Sequence, residues 1–289
     1  MVDVDAARTF VHGTGRLLDR RRLEHELDGG PPDVVLAALA GYRNADGGVG
    51  ALEPDLRSPA SQPIPVRYAL DVLAELPPSD EGRRLALGAL GWLATVTEPD
   101  GGVPFVLPTH DGLPAAPWLV PAPGSSLLAT AQLVAGAHRL GLEHPWLAGA
   151  DAYCWARVDD VDPADAYTVL YVVDLLDVAP DRERAAAALA RLRDGVRAAM
   201  TPEGALPVPG GAAGEVLDPL LLAPAPDHAG ASLVDDDVLD RALDRLADAQ
   251  HEDGGWDVTW AAWHPTAHAE WRAAVTVDAL RTLRAWGRR

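Results

Sequence analysis

One short phrase returns along the chain at a spacing of about fifty residues: NADGGVGAL from Asn44, EPDGGVPFV from Glu98, TPEGALPVP from Thr201 and HEDGGWDVT from His251. Counted from the acid, positions 46 and 100 lie 54 apart, 100 and 203 lie 103 apart, and 203 and 253 lie 50 apart. The middle interval holds two units, so one copy is degenerate and falls near 151–162, where DAYCWARVDDVD keeps acids but no paired glycines. Six units of about fifty residues would fill the 289-residue chain, and repetition at this period points to stacked copies of one supersecondary unit.

That unit is a helical hairpin. Apolar residues recur with helical periodicity before each phrase, in 31–43, 81–96, 144–156, 181–200 and 235–250, and again after it, in 61–76, 124–141, 162–177 and 266–286. The segment 3–18 is counted with the second set. Proline or acids open several first-set segments, and the glycines past their ends supply the positive φ that stops a helix. No strand pattern competes. First-set segments such as DRERAAAALARLRDG carry more charge than second-set ones such as AYTVLYVV. That asymmetry predicts charged helices outside and apolar helices inside. The expected fold is all-α, one domain over 1–289, an (α/α)6-type toroid of about six hairpins around a central cavity. The starts of the inner helices gather at one mouth, where function is sought.

Composition narrows the chemistry. All 24 basic residues are arginine, so Schiff-base, pyridoxal-phosphate and phosphate-loop lysines are excluded. A net charge of −19 disfavours nucleic acid. The single Cys154 excludes an intrachain disulfide and a multi-thiolate zinc site. The start MVDVDAARTF lacks a signal peptide's basic and apolar regions. The longest uncharged stretch, 113–137, is broken by Pro114, Pro117, Pro121, Pro123 and Gly124, so no membrane span is expected. The expectation is a soluble, cytoplasmic protein.

The last repeat carries a more specific pattern. Arg241-Ala242, Leu246, Gln250, Gly254 and Trp256 stand in the order basic-small, apolar, glutamine, Gly-x-Trp. This resembles the QW motif of the terpene cyclase and protein prenyltransferase α/α-toroid superfamily, in which the motif clamps outer helices together. The resemblance implies a cavity for a hydrophobic substrate and two chemistries. Prenyltransferases hold zinc with Asp-x-Cys and a distant histidine, whereas Asp151-Ala-Tyr-Cys154 is one residue too long. Protonation-initiated cyclases carry Asp-x-Asp-Asp at the start of an inner helix. The corresponding stretch is Asp160-Val-Asp162-Pro163-Ala-Asp165-Ala-Tyr167, with Pro163 where the last aspartate belongs in one alignment and Asp165 at the acid position in the other. The tripeptide Asp235-Asp236-Asp237 opens a first-set helix, where the helix dipole accounts for it.

A protonating carboxylic acid has to stay neutral near pH 7, which a low-dielectric cavity and neighbouring acids favour. Asp165, with Asp162 and Asp160, is the expected catalytic group. After the last repeat, Trp256, Trp260, Trp263, His264, His268 and Trp271 crowd into sixteen residues. Trp260, Trp263 and Trp271, with Tyr167, His264 and His268, are the expected substrate-lining residues, able to stabilise a cation or stack on a ligand. His264 and His268 share a helical spacing suited to metal binding, but Pro265 starts the helix after His264 and no third ligand is identifiable, so neither metal nor cofactor is expected.

Three functions remain open. One is acid-initiated cyclisation or isomerisation of an isoprenoid-type substrate. Another is a noncatalytic toroid that binds a hydrophobic small molecule after losing the acid motif. The third is a carbohydrate-active α/α barrel using two loop acids, whose candidates Asp46, Asp100 and Asp253 are better explained as turn residues of the repeat.

Overall fold

The computed structural model describes residues 2–110, 112–212 and 214–289. The chain adopts the all-α class that the repeats imply. Its helices are α1 (Val4–Thr14), α2 (Leu17–Asp28), α3 (Pro32–Ala40), α4 (Pro63–Ala74), α5 (Asp80–Val96), α6 (Leu127–Arg139), α7 (Pro145–Trp155), α8 (Ala166–Val178), α9 (Arg182–Ala199), α10 (Pro219–Leu222), α11 (Asp236–Asp248) and α12 (Pro265–Ala285). None of them is long and apolar enough to cross a membrane. Contacts group the chain into two compact units. One comprises Met1–Pro31, Val161–Val173 and Ala186–Arg289, the other Pro32–Asp160 and Asp174–Ala185.

Helix starts follow local chemistry. Proline occupies the first turn of α4, α7, α10 and α12, where its missing N–H is no loss. Ser79 and Ser126 accept from the backbone N–H groups of Gly82 and Ala129, capping α5 and α6.

The four phrases fold alike. In each, the first residue accepts the N–H of the glycine three positions on and donates its own N–H to the carbonyl one position further: Asn44 with Gly47 and Gly48, Glu98 with Gly101 and Gly102, Thr201 with Gly204 and Ala205, His251 with Gly254 and Gly255. Gly47, Gly101, Gly204 and Gly254 have φ of 91°, 91°, 81° and 90°, a region open chiefly to glycine. Each turn also lies against the next first-set helix. A Cβ on Gly47 would stand 2.8 Å from the Gly88 carbonyl oxygen of α5, and one on Gly101 2.5 Å from that of Gly149 in α7. On Gly204 it would reach Val238 of α11, and on Gly254 the Ala6 carbonyl of α1. At the degenerate copy the turn has no paired glycines, and Pro163 packs against Gly195 of α9.

In the second unit α4 packs on α6, and Gly136 lets α6 come down on Leu70 of α4. Residues Ala129 to Ala137 of α6 are buried on every face, as a second-set helix requires. In the first unit α1, α2 and α12 enclose Phe10, Val11, Leu23, Trp256, Val277 and Leu280. Three local expectations change. The 3–18 segment holds α1 and only the first two residues of α2, parted at Gly15 and Arg16, and α1 receives the last turn, which puts it with the first set. The region 201–235 contains the four-residue α10 where a longer second-set helix would continue the alternation. A two-residue hairpin, β1 (Leu206–Pro207) with β2 (Val216–Leu217), adds an antiparallel pair.

Candidate functional site

Three of the four repeat acids, Asp46, Asp100 and Asp253, are bound into their turns. Asp46 Oδ1 accepts from Gly48 N at 2.9 Å and from the Ser61 hydroxyl at 2.8 Å, and Asp100 Oδ1 from Gly102 N at 3.1 Å and Ser125 at 2.5 Å. Asp253 accepts from Gly255 N at 3.0 Å and from Arg272. Each carboxylate ties its turn to a residue at or near the next second-set helix. That geometry gives all three a structural task in the repeat. The QW-like residues clamp as well. Gln250 exchanges hydrogen bonds with the backbone N–H and C=O of Asp3, at 2.7 and 2.8 Å, and buried Trp256 donates to the Leu246 carbonyl at 2.7 Å.

The expected catalytic acids are exposed. Asp162 accepts from Ala164 N at 2.9 Å, and Asp165 accepts from Thr168 N at 3.2 Å immediately before α8. Asp165 therefore caps α8, and Asp160 ends a short 3-10 turn. Water around these groups removes the low dielectric that a neutral acid needs. Tyr167 donates its hydroxyl to Glu215 at 2.8 Å.

The aromatic segment is partly brought together. Trp260 meets buried Trp271 edge to face at 5.1 Å between centroids, and Trp263 lies 5.4 Å from the His264 ring. His264 caps α12 by accepting from Thr266 N, whereas His268 pairs with Asp257 at 2.6 Å. The two imidazoles thus serve different partners. Among the described residues no cluster of three or more His, Cys, Asp or Glu could hold a metal ion.

A stronger chemical signal lies on α4, α6 and α8 within the second unit. Asp71 Oδ2 lies 2.7 Å from Arg67 Nε, one turn earlier on α4, and Arg139 of α6 pairs with Asp174 of α8 at 2.5 Å. Desolvation, reinforced by Asp174 and Glu75 and opposed by Arg67 and Arg139, pushes the Asp71 pKa up from 3.8 to about 6. Yet 30 % of the Asp71 side chain is accessible. A carboxyl that is both desolvated and reachable stands in a recess, where protein rather than bulk water fills most of its surroundings. A carboxyl shifted upward by desolvation beside specific charge partners is a functional-site candidate, and ion-pair networks shift carboxyls too.

Arg139, whose charge acts on Asp71, also lines an open groove of about 650 Å³, a size typical of small-molecule sites. Leu36, Leu73, Leu76 and Leu142 line it as buried residues, and Asp80, Arg83 and Arg139 are polar members of its wall. Ala74, three residues after Asp71 on the same face of α4, also lines it.

A second feature escaped sequence reasoning. The loop between the first phrase and α4 buries Glu53 and Asp55, each 5 % exposed, together with Ser58, Ser61 and Gln62. Gln62 bridges to Leu107 and Thr109, while Asp55 C=O accepts from Ala116 N and Arg57 N donates to Pro114 C=O. Ala51, at the end of the first phrase, has φ of 54°, the one positive value outside glycine among the described residues. The usable signal was a charged EPDLR run lacking helical periodicity, placed directly after a Gly-Gly turn.

Compared with known proteins, the chain matches no family model and no curated protein.

Proposed function

We propose that the chain is an isomerase or cyclase of the isoprenoid-processing kind, built as a six-hairpin α/α toroid, with Asp71 as its acid instead of Asp165. The toroid reading is supported by the alternation of first- and second-set helices and by turns that each seat on the next first-set helix. The observation that carries the chemistry is Asp71: desolvated, accessible, titrating near 6 and beside Arg67.

Near neutral pH a fraction of Asp71 keeps its proton, the state general-acid catalysis requires. The proton adds to one carbon of a substrate alkene, the π pair forms the new C–H bond, and a carbocation remains. Arg67 pairs with the carboxylate left behind. Loss of a proton from a neighbouring carbon to that carboxylate forms a displaced double bond and restores the acid, so no co-reactant is consumed. Attack by a second alkene before that loss gives a ring.

A noncatalytic binding toroid is the second reading, favoured by the use of Asp162 and Asp165 in a turn and a cap. The two separate in heavy water. Incubation with a panel of unsaturated isoprenoids is expected to give products carrying deuterium on carbon. Asp71→Asn should abolish the label and Asp165→Asn should retain it. Absence of label with the wild-type protein, or undiminished labelling by Asp71→Asn, overturns the catalytic reading.

A further inference from the structure

The groove lined by Ala74 and Arg139 has its own recognition chemistry, independent of any proton transfer. Its wall is mixed: Leu36, Leu73, Leu76 and Leu142 are buried there and offer an apolar strip along which a hydrocarbon chain can leave water, flanked by polar groups. At its rim the charges differ in availability. Arg139 is committed to Asp174 through both terminal nitrogens, at 2.5 and 3.4 Å. Arg83, exposed in the first turn of α5, makes no ion pair and no side-chain hydrogen bond among the described residues. Asp80 stands at the same rim and sets a limit on the negative charge a ligand can bring. The positive end of α5 adds modestly to the attraction for an anion.

We propose that this groove binds a long-chain carboxylate, with its hydrocarbon chain over the leucine strip and its head on the Arg83 guanidinium. A carboxylate matches one guanidinium fork with two parallel hydrogen bonds and brings a single charge. A dianionic phosphate would bring a second charge opposite Asp80 with no uncommitted cation to meet it. A neutral alcohol of the same chain would keep the strip contacts and lose the fork.

Titration calorimetry of the purified full chain with dodecanoate, dodecanol and dodecyl phosphate tests this. Dodecanoate is expected to bind saturably, one per chain, with dodecanol and dodecyl phosphate weaker. Arg83→Gln, an exposed position whose loss leaves the fold intact, should weaken dodecanoate about tenfold and leave dodecanol unchanged. Ala74→Trp, which fills the groove, should weaken both. No saturable dodecanoate binding, equal affinity in Arg83→Gln, or tighter binding of dodecyl phosphate overturns the proposal. Binding without deuterium incorporation would refute catalysis alone, and incorporation without dodecanoate binding would refute this groove assignment alone.

Discussion

Arg272 of α12 holds Asp253 of the last turn through both terminal nitrogens, at 2.7 and 2.9 Å, where serine hydroxyls hold Asp46 and Asp100 in the earlier turns. The Arg272 hydrogen bond, aided by the Gly255 N–H, pulls the Asp253 pKa down from 3.8 to about 2. A depressed carboxylate stabilises the fold above its unfolded value and loses that contribution as pH falls through the folded one. Arg272→Gln is therefore expected to lower the melting temperature at pH 7. The pair is half open to water, so the loss should be about 1 kcal/mol or less. The deficit should shrink between pH 3.8 and 2. Thermal melts across that range would expose a pH-independent deficit, which would mean that Arg272 acts only through its guanidinium over the Phe10 ring, 4.5 Å from the ring centroid.

The glycine turns set a steeper penalty. Gly101 combines a φ of 91° with a missing Cβ that would lie 2.5 Å from the Gly149 carbonyl oxygen. Backbone strain and the forced separation of turn from α7 add, so Gly101→Ala is expected to cost about 2–4 kcal/mol. Gly91, inside α5 with open space around its Cβ position, provides the contrast. Gly91→Ala should stabilise by up to about 1 kcal/mol. Denaturant titrations of both variants would undermine the seating of turn on helix if Gly101→Ala were neutral.

The repeat was legible because its turn obeys local rules: a glycine at positive φ and an aspartate bonding the N–H two residues on can be read from four letters. The hairpin helices followed within a few residues of their ends for the same reason. Helix α2 was missed because its charged sequence, LLDRRRLEHELD, lacks a wide apolar stripe and one of its ion pairs is long-range. Asp19 is buried against Arg16, and Arg22 reaches Asp278 across 256 residues. Asp71 was hidden in the same way. On the sequence it is one acid four residues after an arginine, indistinguishable from a solvated helix pair. Only the packing of α4 on α6, with Arg139 and Asp174 close by, makes its surroundings unusual.

Asp165 gives a clean contrast of cap with acid. Its carboxylate accepts from Thr168 N at 3.2 Å, a task that an asparagine side chain performs equally well. Asp165→Asn should leave stability nearly unchanged, whereas Asp165→Ala should cost about 1 kcal/mol through the lost N-cap. Deuterium incorporation should survive in both. Loss of incorporation in a fully folded Asp165→Asn would return the catalytic role to this residue.

Asp71 is expected to behave in the opposite way to a structural ion pair. Its pKa rises from 3.8 to about 6 on folding, so between those values the unfolded chain releases the proton more readily than the folded one. The folded state thus binds more protons, and stability declines as pH climbs through this window. Above pH 6 the ionised carboxylate therefore costs the folded state stability. Asp71→Asn removes that cost while its amide oxygen can still accept from Arg67 Nε. The variant should therefore melt higher than the wild type at pH 7, match it below pH 4, and be inactive in the deuterium assay. A variant less stable than wild type at pH 7 would show that Asp71 serves mainly as the ion-pair partner of Arg67, and the proton-transfer role would fall with it.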